Sequence, residues 1–310
     1  MLINQIALSG RSALADVSRW YAEGLGFVDA GGTSFAGPEI AQLQGIDLPT
    51  VALDLQWAID RNDFMQLELF SYTEPVARPR AADWSPEVVG YNVLMVHVQD
   101  FDTTLANLAA LGTHPSTDVI GEAGSRRACV ADPNGTLIEI MEDDVTSGSA
   151  VPIRPGVNAA VRGVRVTVPD LDKARKFFME AIGLTPANPV HNAAHEALWG
   201  LTGQEPKMFA LTEGRSIVEL VQYAQTRPRP ADYRVCDEGI LNIALGSIEK
   251  DDYLRTRARV EEAGHTLFSE FILSSDVEVN YVSDSEGNFN VELMYMATAA
   301  HKSFGFSLTD

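Results

Sequence analysis

Cysteine is nearly absent from this 310-residue chain: only Cys129 and Cys236 occur, far apart and in no metal-type spacing. That excludes a disulfide framework and a thiolate metal cluster, and both residues read as reduced thiols. Basic residues are also scarce, 23 Lys and Arg against 43 Asp and Glu, for a formal charge of -20. A surface of that sign repels phosphate backbones and anionic membranes, so neither nucleic acid nor a membrane is an expected partner. Solubility is the simplest use of the acidity. No apolar run approaches the roughly 18 to 20 residues that a membrane span requires. The start, Met1-Leu-Ile-Asn-Gln-Ile6, is strand-like, without a basic region leading into an apolar one, and a cytoplasmic protein is expected. A nucleotide-binding loop, a Ser-His-Asp set and a CxxC pair are all missing.

Four short patterns stand out instead. Leu67-Glu68-Leu69, Ile138-Glu139-Ile140, Val218-Glu219-Leu220 and Val291-Glu292-Leu293 place a glutamate between apolar neighbours at intervals of 71, 80 and 73 residues. Successive side chains of a strand point to opposite faces, so each glutamate faces away from the core that its neighbours enter. A carboxylate set on the concave side of a sheet four times is a candidate ligand or metal contact.

The chain is long enough for two domains, and its halves repeat. Arg19-Trp-Tyr-Ala-Glu-Gly-Leu-Gly-Phe27 returns as Lys176-Phe-Phe-Met-Glu-Ala-Ile-Gly-Leu184, and Arg78-Pro-Arg80 with Gly90 returns as Arg227-Pro-Arg229 with Gly239. Turn formers crowd residues 144–158. The expected division is 1–146, a linker at 147–158, and 159–310 with a short tail. A smaller unit repeats inside each half. A strand (3–8, 93–98, 164–168 or 243–245) leads to an amphipathic helix (12–25, 102–111, 170–182 or 251–263). Gly26, Gly112, Gly183 and Gly264 sit where helices end. Further strands then run to the glutamate strand. The fold class is α+β: four βαβββ modules forming two cup-shaped mixed sheets with helices outside.

This organisation resembles the vicinal oxygen chelate superfamily, which includes glyoxalase I, extradiol dioxygenases and bleomycin-resistance proteins. The resemblance rests on Asp132-Pro-Asn-Gly-Thr-Leu-Ile-Glu-Ile140, Val168-Pro-Asp-Leu-Asp172 and Phe289-Asn-Val-Glu-Leu-Met294. It implies that paired modules close a cup around one divalent metal, with ligands from the first and last strand of each module. The last-strand positions match Glu68, Glu139, Glu219 and Glu292; the first-strand positions match Gln5, Val93, Gly163 and Asn242. No histidine stands at any of them, a departure from the family. Amide and carboxylate oxygens suit Mg, Ca or Mn better than Zn, Fe or Ni. The cofactor expectation is therefore a divalent metal of unspecified identity, or none.

Module pairing decides which residues meet. If the first module pairs with the fourth, as in some four-module relatives, Gln5, Glu68, Asn242 and Glu292 share one polar cup. Sequential pairing would instead divide them. The first arrangement is the working hypothesis, with Glu68 and Glu292 as catalytic carboxylates and all four residues as candidate metal ligands. Glu139 and Glu219 read better as solvated or paired with an arginine such as Arg165.

His97 lies on the cup face of its strand by parity and is a candidate substrate contact, with a hydrogen-bonded structural role as the plainer reading. His191 and His195 have i, i+4 spacing, but Pro186 and Pro189 precede them and a loop is expected. The two Arg-Pro-Arg segments read as extended connectors. Phe304 and Phe306 bring aromatic cover to a cup or to a subunit contact. The functional expectation is lyase or isomerase chemistry on a small apolar or aromatic oxygenated molecule. Non-catalytic binding of the resistance type is the alternative, and ring-cleaving dioxygenation the third. The expected partners are that small molecule and a second copy of the chain.

Overall fold

The computed structural model describes residues 1–146, 154 and 156–308, so most of the expected linker lies outside the described residues. The first module runs β1 (Leu2–Gly10), α1 (Leu14–Arg19) continuing into a π-helical turn (Trp20–Leu25), β2 (Val28–Gly37), α2 (Pro38–Leu43), β3 (Val51–Ile59) and β4 (Gln66–Glu74). The second is β5 (Gly90–Val98), α3 (Phe101–Ala110), β6 (Arg127–Ala131) and β7 (Leu137–Met141). The third is β8 (Ala159–Thr167), α4 (Leu171–Lys176) with its own π turn (Phe177–Ile182), β9 (Thr185–Ala187), a 3-10 turn (Ala193–Trp199), β10 (Lys207–Thr212) and β11 (Ile217–Gln222). The fourth is β12 (Gly239–Ser247), α5 (Lys250–Glu262), β13 (Thr266–Ser274), β14 (Val277–Ser283), β15 (Asn290–Met296) and a closing 3-10 turn (Thr298–Phe304).

Two mixed sheets result, and the α+β expectation holds. One has the order β13-β14-β15-β12-β1-β4-β3-β2, the other β6-β7-β5-β8-β11-β10-β9. Within each module the first and last strands pair in parallel, and the modules join through antiparallel seams, β1 with β12 and β5 with β8. Each sheet thus takes one module from residues 1–146 and one from 159–308. The first module pairs with the fourth, and the second with the third.

Strand parity works as the sequence implies. Ile6, Leu67, Leu94, Val164, Val166, Ile243 and Leu245 enter one core beneath both sheets, where they meet Trp20, Tyr21, Phe177 and Phe178 from the helices. The helix-ending glycines all take positive φ. Asp100 and Asp170 accept from main-chain N–H groups at the starts of α3 and α4. The second module departs from βαβββ. Between α3 and β6 only an isolated bridge, Ile120 with Arg127, forms. Pro115 lacks an N–H for a ladder there, and Gly121 and Gly124 both bend the chain with positive φ.

The larger sheet curls until α2 packs against β13, and the C-terminal segment covers what remains of the opening. Phe306 is 1% exposed, its ring 4.8 Å from that of Phe64, while Arg154 Nη2 donates to its carbonyl at 2.8 Å. Both Phe304 and Phe306 line the cavity inside this sheet. The tail covers a cup, one of the two roles expected for it. Phe306→Ala should cost about 3–5 kcal/mol in denaturant unfolding, as for other large-to-small core changes. It should also open the cup to a fluorescent apolar dye; unchanged stability and dye binding would show that the tail seals nothing.

Candidate functional site

The one-plus-four cup holds the four polar residues named from the sequence. Gln5 is central on β1, next to β12, and its register neighbour Ala7 stands opposite both Asn242 and Glu68. Gln5 Nε2 donates to Glu68 Oε2 at 2.6 Å and to Glu292 Oε2 at 3.1 Å. Asn242 Nδ2 donates to the same Glu292 oxygen at 3.1 Å, and Trp57 Nε1 to Glu68 Oε1 at 3.2 Å. All four residues are buried, and Gln5, Glu68 and Glu292 line a cavity of about 70 Å³ with Trp57, Phe70, Tyr281 and Met294 among its walls.

The pair is electrostatically unsatisfied. Among the described residues no Lys, Arg or His pairs with Glu68 or Glu292, and their donors are neutral amide and indole N–H groups and the Tyr281 hydroxyl. Burial pushes the Glu68 carboxyl well above the usual range, the neighbouring Glu292 adds to this, and the Trp57 bond opposes it. Burial likewise raises Glu292, against the bonds from Asn242 and Tyr281. Two carboxylates sharing one donor in an apolar cavity cannot both ionise easily.

The same residues fit a hard divalent cation. Asn242 Oδ1 is buried with no hydrogen-bond partner, and half-turns of the Asn242 and Gln5 amides would aim oxygens where N–H groups now meet the carboxylates. With Glu68 and Glu292 that makes an all-oxygen donor set suited to Mg, Ca or Mn. No group of three or more His, Cys, Asp or Glu able to hold a metal occurs among the described residues, so amide oxygens would be needed.

The two-plus-three cup is built differently. His191, fully buried, lies between the last-strand glutamates, with Nδ1 2.6 Å from Glu219 Oε2 and Nε2 2.7 Å from Glu139 Oε2. Arg127 Nη1 donates to Glu139 at 2.9 Å and Arg165 Nε to Glu219 at 3.0 Å. Arg165 also bonds Glu196 at 2.5 Å and lies over the Trp199 ring. Burial would raise the Glu139 and Glu219 carboxyls, but His191 and the arginines overcome it and hold both at about 2. Burial would likewise lower His191, yet the two carboxylates lift it to about 9. An imidazolium bridges two carboxylates, and Val93, Cys129, Leu198 and Trp199 pack together beside it.

The structure does not bring His97 to the Glu68–Glu292 pair. It lies on β5 in the other sheet, with Nδ1 2.6 Å from Arg61 Nη2. Burial, opposed by Asp144 and reinforced by Arg61 and Arg162, takes its imidazole down to about 4. The plainer reading of a hydrogen-bonded histidine describes this arrangement. His191 does belong to a loop, as expected, but its role escaped the sequence reading, because its partners are 52 and 28 residues away. His195 lies in the 3-10 turn, where its Nδ1 accepts from the Asn192 main-chain N–H.

No protein-family model matches the chain, and no curated protein does. Solved structures do share its fold. A candidate dioxygenase from Bacillus subtilis superposes with a TM-score of 0.64 at 14% identity, over 100% of this chain and 91% of its own. Glyoxalase I from Zea mays gives 0.62 at 12% identity, over 94% of this chain and 92% of its own. The vicinal oxygen chelate resemblance is thus borne out in the fold. No helix of the described residues is long and apolar enough to cross a membrane.

The His191 bridge carries a pH signature. Its imidazole titrates at about 9 in the fold against about 6.5 unfolded. Its contribution is therefore complete below about pH 6.5 and lost as pH rises through about 9. His191→Gln should lose about 3 kcal/mol or more at pH 6, the cost of breaking a buried ion pair. Melting curves across pH 6 to 10 should show a decline that the variant lacks; parallel curves would mean that His191 is neutral.

Proposed function

We propose that the one-plus-four cup binds a small, largely apolar oxygenated molecule and moves a proton next to its carbonyl, in lyase or isomerase chemistry. The carrying observation is that Gln5 Nε2 bridges two buried carboxylates, Glu68 and Glu292, with no cationic side chain bonded to either among the described residues. Raised carboxyls near working pH are suited to general acid and base roles. One carboxylate accepts a proton from the carbon next to the carbonyl, and its protonated partner donates at the carbonyl oxygen or the neighbouring carbon. Gln5 fixes both carboxyls, Asn242 orients Glu292, and Trp57 orients Glu68. The aromatic and methionine walls hold the substrate and exclude water.

A divalent cation, when bound, would be held by Glu68, Glu292 and the amide oxygens of Gln5 and Asn242, and would supply a Lewis acid for charge on a substrate oxygen. Ring cleavage with Fe(II) would require a histidine-rich donor set, which these four residues do not provide. Binding without turnover is the second reading, favoured by the apolar walls alone.

Thermal-shift screening of small carbonyl compounds and oxygenated aromatics should yield binders. Proton-deuterium exchange of those binders, followed by NMR, tests the chemistry. Glu68→Gln and Glu292→Gln should each slow exchange by about 100-fold or more. Binding without exchange by the wild-type protein would replace this reading with sequestration, and undiminished exchange in both variants would end it. A stability readout is independent of substrate. Raised carboxyl pKa values favour the fold at low pH and oppose it as pH rises above the ordinary carboxylate range. Glu292→Gln should therefore raise the melting temperature at pH 8, while changing it little at pH 4.

A further inference from the structure

A second crevice, of about 520 Å³, opens where the two Arg-Pro-Arg arms cross, and it shares no lining residue with the one-plus-four cavity. The arms are hydrogen-bonded into the molecule reciprocally. Arg78 O accepts from Glu238 N at 3.0 Å just before β12, and Arg227 O accepts from Val89 N at 2.8 Å just before β5. Each arm then sends its last arginine across the first residue of the other module's strand. Arg80 crosses Gly239 and Arg229 crosses Gly90. A Cβ at Gly239 would fall 3.0 Å from Arg80 Nη2, and one at Gly90 would fall 2.4 Å from Arg229 Nη2. Glycine is required at both, since φ is +143° and +132° as well. The guanidiniums lie over aromatic rings: Arg80 Cζ is 4.1 Å from the centroid of Trp84 and Arg229 Cζ 4.4 Å from that of Tyr233.

The arginines of each arm differ in their partners. Arg78 pairs with Asp232 and Asp237, and Arg227 with Asp83. Among the described residues Arg80 and Arg229 form no ion pair. Arg80 Nη1 donates to the Gly135 carbonyl at 2.6 Å and Arg229 Nε to the Val89 carbonyl at 2.9 Å. Arg80 Nε and Nη2 and both Nη atoms of Arg229 have no hydrogen-bond acceptor among the described residues. The nearby Glu238 carboxylate meets Arg80 through its main-chain N–H, at 3.1 Å. Burial draws the Arg80 guanidinium below its ordinary pKa, opposed by the nearby Asp132, Tyr233 and Glu238. In a chain of charge -20 there is no shortage of carboxylates to pair with it.

We propose that this crevice is a second ligand site, for a small organic dianion whose two carboxylates are taken by Arg80 and Arg229. A guanidinium placed over an aromatic ring can still offer its remaining N–H groups to a carboxylate in fork geometry. Both guanidiniums line the one crevice, where Asp83, Asp232 and Asp237 are already paired with Arg227 and Arg78, and a ligand that meets both needs two anionic ends. Pro79, Pro228 and Ile240 supply apolar wall for the carbon body between them.

Isothermal titration with succinate, acetate and inorganic phosphate at matched ionic strength tests this on the intact protein. Succinate should bind saturably at one per chain, about tenfold or more tighter than acetate or phosphate. R80Q and R229Q should each weaken succinate about tenfold or more, with circular dichroism showing retained structure. Because the wild-type titration needs no variant, a poorly folded variant leaves the outcome decidable. Succinate binding no better than sodium chloride overturns the proposal. So does acetate or phosphate equal to succinate, or full binding by both folded variants.

Discussion

A carboxylate removed from water must be met by a cation, a proton or enough N–H donors, and the last strand of every module carries one into the interior of this protein. The two sheets meet that constraint in opposite ways. In the two-plus-three cup, Arg127, Arg165 and His191 surround Glu139 and Glu219, and the carboxyls stay ionised. In the one-plus-four cup, Glu68 and Glu292 receive N–H groups from Gln5, Asn242 and Trp57, and their negative charge remains uncompensated. One cup is a closed ion network. The other keeps two carboxyls with raised pKa beside an apolar cavity.

Basic residues are not lacking elsewhere in the fold. Arg162 pairs with Asp144, Arg78 and Arg234 share Asp237, and Arg126 reaches both Asp102 and Glu142. The absence of a cation from the first cup among the described residues is thus local. Replacing Gln5 with a lysine or arginine would satisfy the carboxylates at the expense of their raised pKa. A buried amide gives orientation without charge, which is the arrangement an acid–base pair requires.

The fold was legible because its signals are local. Strand alternation and helix-ending glycines each act over a few residues, and their fourfold recurrence marks four modules. Gln5, Glu68, Asn242 and Glu292 followed from parity along single strands. Pairing was a separate matter, because β1 and β8 carry equivalent apolar patterns and neither shows which partner it will take. The polar residues nevertheless favoured one arrangement, since only that pairing collects them. The role of His191 was out of reach: its ligating partners lie on β7 and β11, and the loop carrying it has no periodicity to read. His97 shows the opposite failure. Parity placed it on an inward face without revealing which sheet that face would enclose, or that Arg61 would reach it from the first module.

The internal repeat also bears on what the first cup accepts. His191 stands between the last-strand glutamates of its cup, and Gln5 Nε2 makes the corresponding bridge in the other. In one sheet that place holds a positive charge; in the other it holds an amide, whose nitrogen and oxygen are interchangeable by a half-turn. Such a residue serves either state of the pair. With its N–H inward it bonds both carboxyls, and with its oxygen inward it would join them as a donor to a divalent cation. The unbonded Asn242 Oδ1 gives the fourth residue the same freedom. On the proposed function, proton sharing and cation binding would be alternative solutions to one charge imbalance, open to the same four side chains, and a bound cation and a shared proton would compete.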